Sequence, residues 1–281
     1  MLTIDDIVLL HDTRGISSLR DYVDSDNALK TAEFCLGNMG AVMITTGFYV
    51  KGFPETDGPP GAILLARALK GLGCKITIVS DRDCLSLMHN VVGDEFELIE
   101  FPISNFEESQ KYASELLNRY HPSLMISTER CGMTKDHVYK NMRGIDISDK
   151  TARIDLLFLN HPATIGIGDG GNEIGMGLLH DQIKHVPSLV SDPAITKTTK
   201  LIIASVSNWG CYGLLTALSE MSNKELLPPK QECWELVKSI VDAGGVDGFS
   251  GEREYKVDGF GEEVDGEIAD LLHRYLSERL V

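Results

Sequence analysis

Between Gly40 and Ser127 the chain alternates short β-rich runs with longer amphipathic ones, and this alternation narrows the possible folds more than any other feature. The short runs are 41–46 (AVMITT), 75–80 (KITIVS), 97–101 (ELIEF) and 123–127 (SLMIS), each suited to a strand buried on both faces. The runs between them, 62–70, 82–92 and 105–119, read as helices. Strands that are apolar on both sides and separated by helices pair in parallel, because each helix carries the chain back to the end of the sheet from which the previous strand started.

After Glu129 the regularity gives way to a long polar stretch, ERCGMTKDHVYKNMRGIDISDK, before strand-like 164–167 and 201–206. An insertion of this length is functional or disordered, and its aromatic, arginine and glycine content argues for order. Residues 210–221, 230–243 and 266–280 read as helices, and 252–257 as a short strand. No repeat, low-complexity tract or linker divides the chain, so one domain over 1–281 is expected. The fold class is α/β, a predominantly parallel sheet flanked by helices on both faces in a Rossmann-like three-layer arrangement.

The composition limits the partners. With 42 acidic against 26 basic residues and a net charge of −16, the field repels nucleic acid and anionic membranes. A small anionic substrate would need arginines or helix N-termini beside its pocket. The six cysteines are scattered and form no CxxC, which fits reduced thiols and a cytoplasmic location. The start, MLTIDDIVLLHD, is too short and acidic for a targeting peptide, and no run approaches a membrane span. Oligomeric state is not legible.

In an open parallel sheet the carboxyl ends of the strands line the ligand crevice, so chemistry is sought there. The first strand runs into TGFYVKGFPETDGPPGA, where Glu55 and Asp57 precede a Pro-Pro-Gly helix start. N–H groups there favour an anion, and Asp57 serves either as a cap or in catalysis. The fourth strand ends in STERCG, and YKNMRGIDIS follows, offering Arg130 and Arg143 as carboxylate forks beside Glu129, Asn141 and Asp146. The segment 164–177, TIGIGDGGNEIGMG, reads as strand end, polar turn and helix start, and gathers Asp169, Gly170, Gly171, Asn172 and Glu173.

GIGDGG in that segment matches the GxGxxG dinucleotide fingerprint. Asp169 and Glu173 would repel a pyrophosphate there, and the next strand ends in SVSN without an acid to hold a ribose, so no nicotinamide cofactor is expected. Asn208 in VSNWG is hard to explain as core, whereas Trp209 reads as a core anchor. Asp247 and Asp258 lie in two VDG turns of ordinary Asp-Gly chemistry. HExxH, zinc spacings, GxSxG and GxxxxGKS/T are all missing from the sequence. What remains is a carboxylate and amide site built from Glu55, Asp57, Asp169, Asn172, Glu173 and Asn208. Such hard oxygen ligands suit magnesium or manganese, and the same groups can act as acid and base without a metal.

The ordered set TGF, ETDGPPGA, ER.G, NMRG.DIS, TIGIGDGGNEIGMG, VSNWG and VDG resembles the C-terminal domain of the D-glutamate cyclase family and its free-standing relatives. The resemblance runs from about Thr45 to Asp258. It implies a lyase that cyclises D-glutamate to 5-oxo-D-proline with loss of water. The expected form is free-standing, without the extra N-terminal domain and mitochondrial targeting segment of the larger animal enzymes. ERCGMTKDH stands where the family pattern has ER-Pro-Gly and an Asp-Gly turn.

On this reading the substrate is a small acidic amino acid, held by Arg143, Arg130 and Asn141. Asp169 or Glu173 moves the amine proton; Asn172, Asn208 and the N–H groups of Gly170 and Gly171 support the oxyanion. Glu55 and Asp57 would hold a divalent ion, manganese or magnesium. A metal-assisted hydrolase of a small acidic substrate and a non-catalytic amino-acid-binding module are the alternatives.

Overall fold

A computed structural model describes residues 2–280. Along the chain run α1 (Ile4–Val8), a 3-10 segment (Ile16–Tyr22), α2 (Asn27–Gly37), β1 (Ala41–Thr45), and a small hairpin of β2 (Tyr49–Val50) and β3 (Phe53–Pro54). There follow α3 (Pro59–Gly71), β4 (Lys75–Ser80), α4 (Arg82–Val92), β5 (Glu97–Glu100), α5 (Phe106–Tyr120) and β6 (Leu124–Thr128). The remainder is β7 (Thr164–Gly168), α6 (His180–Ile183), β8 (Lys200–Ile203), α7 (Ser207–Ser222), α8 (Lys230–Asp242) and α9 (Glu262–Ser277).

Six strands form one sheet in the order β5-β4-β1-β6-β7-β8, every pair parallel. The chain first builds outward from β1 through β4 to β5, then returns to β1's other side and builds outward again. This reversal creates a switch point between β1 and β6, where the loops leaving the two strands part and open a crevice. The register places Ile44 between Ile78 and Ile126.

Side chains alternate across the sheet as strand geometry requires. Val42, Ile44, Leu124, Ile126, Ile165 and Ile167 face a core shared with α3, α7 and α8. Met43, Val79 and Met125 face the opposite side, covered by α5 and by the irregular segment around Tyr139 and Ile154. The polar insertion is therefore an ordered wall of the sheet.

Two expectations change. The glycine-rich turn after β7 does not open a helix. Gly171 and Gly175 take φ of +99° and +107°, and the chain bends back to bridge Cys131 with Glu173 and Lys197 with Gly175. Only a 3-10 turn and the four-residue α6 follow. Residues 252–257 form turns rather than a strand, because Asp247 accepts hydrogen bonds from the N–H groups of Ser250 and Gly259 and folds the loop onto itself. All six cysteines are buried free thiols. Among the described residues no helix is long and apolar enough to cross a membrane.

Candidate active site

Loops leaving the carboxyl ends of the central strands converge at the switch point. The loop after β1 brings Glu55 and Asp57; Glu129 follows β6 directly; Asp169 and Glu173 follow β7; the loop between α8 and α9 brings Asp258. All six carboxylates are buried, from 1% exposed for Asp57 and Glu173 to 8% for Asp258. Arg14 enters from the turn after α1. One guanidinium nitrogen pairs with Asp169, and the other lies 2.9 Å from Asp258.

Crowding like charges away from water changes their protonation. Burial is the main cause of each rise. Asp169 is pushed up to about 6, with Arg14 opposing and Glu173 reinforcing the effect, and Asp258 rises to about 7 under the same opposition from Arg14. Glu55, Asp57 and Glu129 are held well above the usual carboxylate range by burial and then by neighbouring acids. Glu129 and Asp258 also adopt φ of +43° and +52°, backbone positions that disfavour non-glycine residues. These two members of the cluster thus hold a backbone conformation that costs a non-glycine residue on the order of 1–3 kcal/mol.

Several residues expected to contact a ligand are engaged in the scaffold. Asn208 is the clearest correction. Its Oδ1 accepts from the N–H groups of Gly58 and Gly61 at 3.0 and 2.9 Å, and its Nδ2 donates to the Thr56 carbonyl at 3.1 Å. The amide that was to support an oxyanion therefore caps α3, and with prolines at 59 and 60 that helix start has no open N–H for an anion. Asp57 makes the reciprocal cap, accepting from Ser207 and Asn208 at the start of α7 at 2.8 and 2.7 Å.

Glu173 binds the turn behind it, accepting from the N–H groups of Gly170 and Gly171 at 2.7 and 2.8 Å. Those two amides are thereby withdrawn from an oxyanion role, and Glu173 is a scaffold acceptor before it is a base. Arg130 is buried and holds the Gly47 and Ala152 carbonyls and Asp81, so its fork is filled from within the protein. Asn141 Oδ1 accepts from the N–H groups of Arg143 and Ile145, shaping the loop that carries Arg143. Asn172 donates to the Lys140 carbonyl at 3.0 Å, which fixes its oxygen as the open end, an acceptor rather than an oxyanion donor.

A cavity of about 460 Å³ opens above the cluster. Arg14, Glu55, Glu129, Asp169 and Asn172 line it together with apolar Phe48, Ile147 and Met142. Lys51, Arg143, Ile145 and Phe249 supply its exposed lining. Lys51 and Gly52 form the tip of the β2–β3 hairpin, both with positive φ, which turns that hairpin tightly toward the cavity.

Among the described residues, oxygen ligands for a cation occur in two overlapping groups, Asp57 with Asp169 and Asp258, and Glu129 with Asp169 and Glu173; within each the oxygens lie within 4.8 Å. Glu55, expected as a ligand beside Asp57, lies outside both groups. The buried Asn172 Oδ1 and Asp258 Oδ2 have no hydrogen-bond donor. Orphaned acceptors among crowded carboxylates fit a hard divalent cation.

Sequence reasoning passed over Arg14, Lys51 and the membership of Glu129 and Asp258 in the cluster. The one available signal for Arg14 was chemical: a pocket of buried acids needs a cation, and HDTRG is a polar run with turn chemistry directly after an apolar helix.

The sequence pattern of the D-glutamate cyclase-like C-terminal family matches residues 4–273. Human mitochondrial D-glutamate cyclase is 30% identical over an alignment of 308 residues that takes in 95% of this chain and 49% of the human protein. The chain thus spans about half the length of that relative. Ligand-free Thermoplasma acidophilum aldohexose dehydrogenase aligns over 86% of this chain and 90% of its own, with 13% identity and a TM-score of 0.28, too low to bear on fold or function. On the extent of the sequence match, the chain belongs to the D-glutamate cyclase-like C-terminal family.

Proposed function

We propose that this protein is a lyase that closes D-glutamate into 5-oxo-D-proline with release of water. The observation that carries the reading is the buried carboxylate cluster with Arg14 beneath a cavity, in a chain 30% identical to a D-glutamate cyclase. In this reaction the amine nitrogen bonds to the γ-carboxyl carbon, a carbon–oxygen bond breaks, and two protons leave the ammonium and depart with that oxygen as water. A group that first accepts a proton and later returns one must titrate near neutrality. Asp169 and Asp258, raised to about 6 and about 7, meet that requirement in the cation-free cluster; a bound cation would keep its ligands ionised and leave the proton to Glu55, which lies outside both groups and is held well above the usual carboxylate range by burial.

Arg143 and Lys51 at the exposed lining supply positive charge for the substrate's α-carboxylate. The apolar Phe48, Ile147 and Met142 exclude water, and holding the chain folded for a five-membered ring closure can remove on the order of 7–11 kcal/mol of barrier. A divalent ion, manganese or magnesium, held by Asp57, Asp169 and Asp258 or by Glu129, Asp169 and Glu173, would supply Lewis-acid polarisation of the γ-carboxylate.

The test is 5-oxoproline formation from D- and L-glutamate, with and without Mn²⁺ or Mg²⁺. Product from the D-enantiomer supports the reading. Hydrolysis of small acidic amides or phosphate esters without cyclisation, or D-glutamate binding by calorimetry with no product over hours, would replace it with a hydrolase or a binding module.

A further inference from the structure

Arg14 is delivered to the cluster by a pinned turn. Asp12 Oδ1 accepts from the N–H groups of Arg14 and Gly15 at 2.9 and 2.8 Å, and its Oδ2 accepts from the backbone and hydroxyl of Ser17 at 2.9 and 2.6 Å. Gly15 takes a φ of +89°, and a Cβ there would stand 2.6 Å from the Ser188 hydroxyl, so the turn is also locked by close approach to a neighbouring loop. Where the chain runs is therefore fixed, and any change of partner must come from the arginine side chain, which is 20% exposed and lines the cavity.

That side chain holds the same oxygens a divalent cation needs. Asp169 and Asp258 bind the two guanidinium nitrogens, and both belong to the three-carboxylate group with Asp57. Two cations a few ångströms apart repel, the more so away from water. Yet one guanidinium does not satisfy the cluster: Asp258 Oδ2 and Asn172 Oδ1, on side chains more than nine-tenths buried, have no donor.

We propose that Arg14 is a built-in counter-ion that occupies Asp169 and Asp258 until a divalent cation binds, and that the released guanidinium then turns into the cavity to hold a carboxylate of the acidic substrate. The order of binding is cation first, substrate second. The substrate half rests on the function proposed above; the cation half does not.

The experiment titrates wild type, Arg14→Lys and Arg14→Gln with Mn²⁺ alone by calorimetry, then with D-glutamate after Mn²⁺ loading. Arg14→Gln should bind Mn²⁺ about 5-fold or more tighter than wild type, a coupling of ordinary size between two ligands of one site. Its affinity for D-glutamate should fall by about 10-fold or more, with Arg14→Lys between the two. Tighter Mn²⁺ binding shows that the guanidinium opposes the cation, and the loss of D-glutamate affinity after Mn²⁺ loading, which a stationary arginine left on the carboxylates would not produce, reads its release. Equal or weaker Mn²⁺ affinity in Arg14→Gln overturns the counter-ion role, and unchanged D-glutamate affinity overturns the release into the cavity.

If Arg14→Gln does not fold, the wild-type Arg14 Nε–H resonance, assigned by its loss in Arg14→Lys, should move when Mg²⁺ is added. A stationary resonance overturns the proposal. Failure of wild type to bind or cyclise D-glutamate would remove the proposed function while leaving the Mn²⁺ comparison intact.

Discussion

Asp57 and Asn208 each cap the helix that the other one begins. Asp57 stands just before α3 and accepts from the first N–H groups of α7, while Asn208 in the first turn of α7 accepts from the start of α3. The exchange fastens the two helices at the switch point and holds Asp57 against Asp169 and Asp258. Asn208→Ala leaves the buried Gly58 and Gly61 N–H groups without that acceptor, at a cost of about 1–3 kcal/mol. Thermal unfolding should drop by several degrees, at roughly 2–4 °C per kcal/mol. An unchanged transition would show that the caps are not holding the helices.

The two acids of the glycine-rich turn should separate under mutation. Asp169→Asn removes the group that titrates near neutrality and should lower D-glutamate turnover by about 100-fold or more, with little loss of stability because one crowded charge is relieved. Glu173→Gln replaces one of two acceptors with an N–H₂ facing the Gly170 or Gly171 N–H, and should cost about 1–3 kcal/mol in denaturant unfolding. If Glu173→Gln is as stable as wild type yet inactive, Glu173 is the base and the scaffold assignment fails.

Strands were legible because a buried parallel strand must be apolar on both faces; the run KITIVS coincides with β4 end to end. Helix starts were less so. α3, α7 and α9 begin at Pro59, Ser207 and Glu262, each three or four residues before the apolar pattern becomes regular, because their first turns are fixed by partners distant in sequence or by the main chain. Asp169 and Glu173 were readable as chemistry from one dense motif. Arg14 was not, since its two partners lie at the far ends of other loops and nothing local distinguishes it from a surface arginine. Asn208 stands out in the sequence as an amide that needs partners if buried, but nothing local shows that those partners are helix N–H groups across the switch point.

The glycine pattern that imitates a dinucleotide fingerprint serves packing. A Cβ on Gly166 would sit 2.6 Å from the Ile174 carbonyl oxygen and 2.9 Å from the Gly175 Cα, because the chain leaving β7 folds back over the strand. Both obstacles are backbone and yield little. Gly166→Ala should therefore cost about 1–3 kcal/mol. Gly37→Ala, at the exposed end of α2 with nothing within 4 Å of its added Cβ, should be neutral or stabilising by about 0.5–1 kcal/mol. Urea unfolding of the pair checks the difference; equal midpoints would mean that the return over β7 is loose.

Asp265 supplies a pH dependence that can be isolated from the carboxylate cluster. It is 1% exposed, accepts from the Trp209 indole N–H at 2.9 Å, and is pushed up to about 6 by burial, against the opposing hydrogen bonds of Trp209 and Tyr212. Its folded pKa lies above the unfolded value of 3.8, so between these values the folded chain binds more protons than the unfolded one. Its contribution to stability is therefore full below pH 4 and declines as the pH rises through 6, by on the order of 2–3 kcal/mol for a shift of this size. Asp265→Asn keeps the acceptor for Trp209 and cannot ionise. The variant should match wild type near pH 4, exceed it at pH 8, and show a flatter profile of unfolding free energy against pH. Parallel profiles for the two proteins across that range would mean that Asp265 is already ionised in the fold at low pH, with the indole N–H outweighing burial.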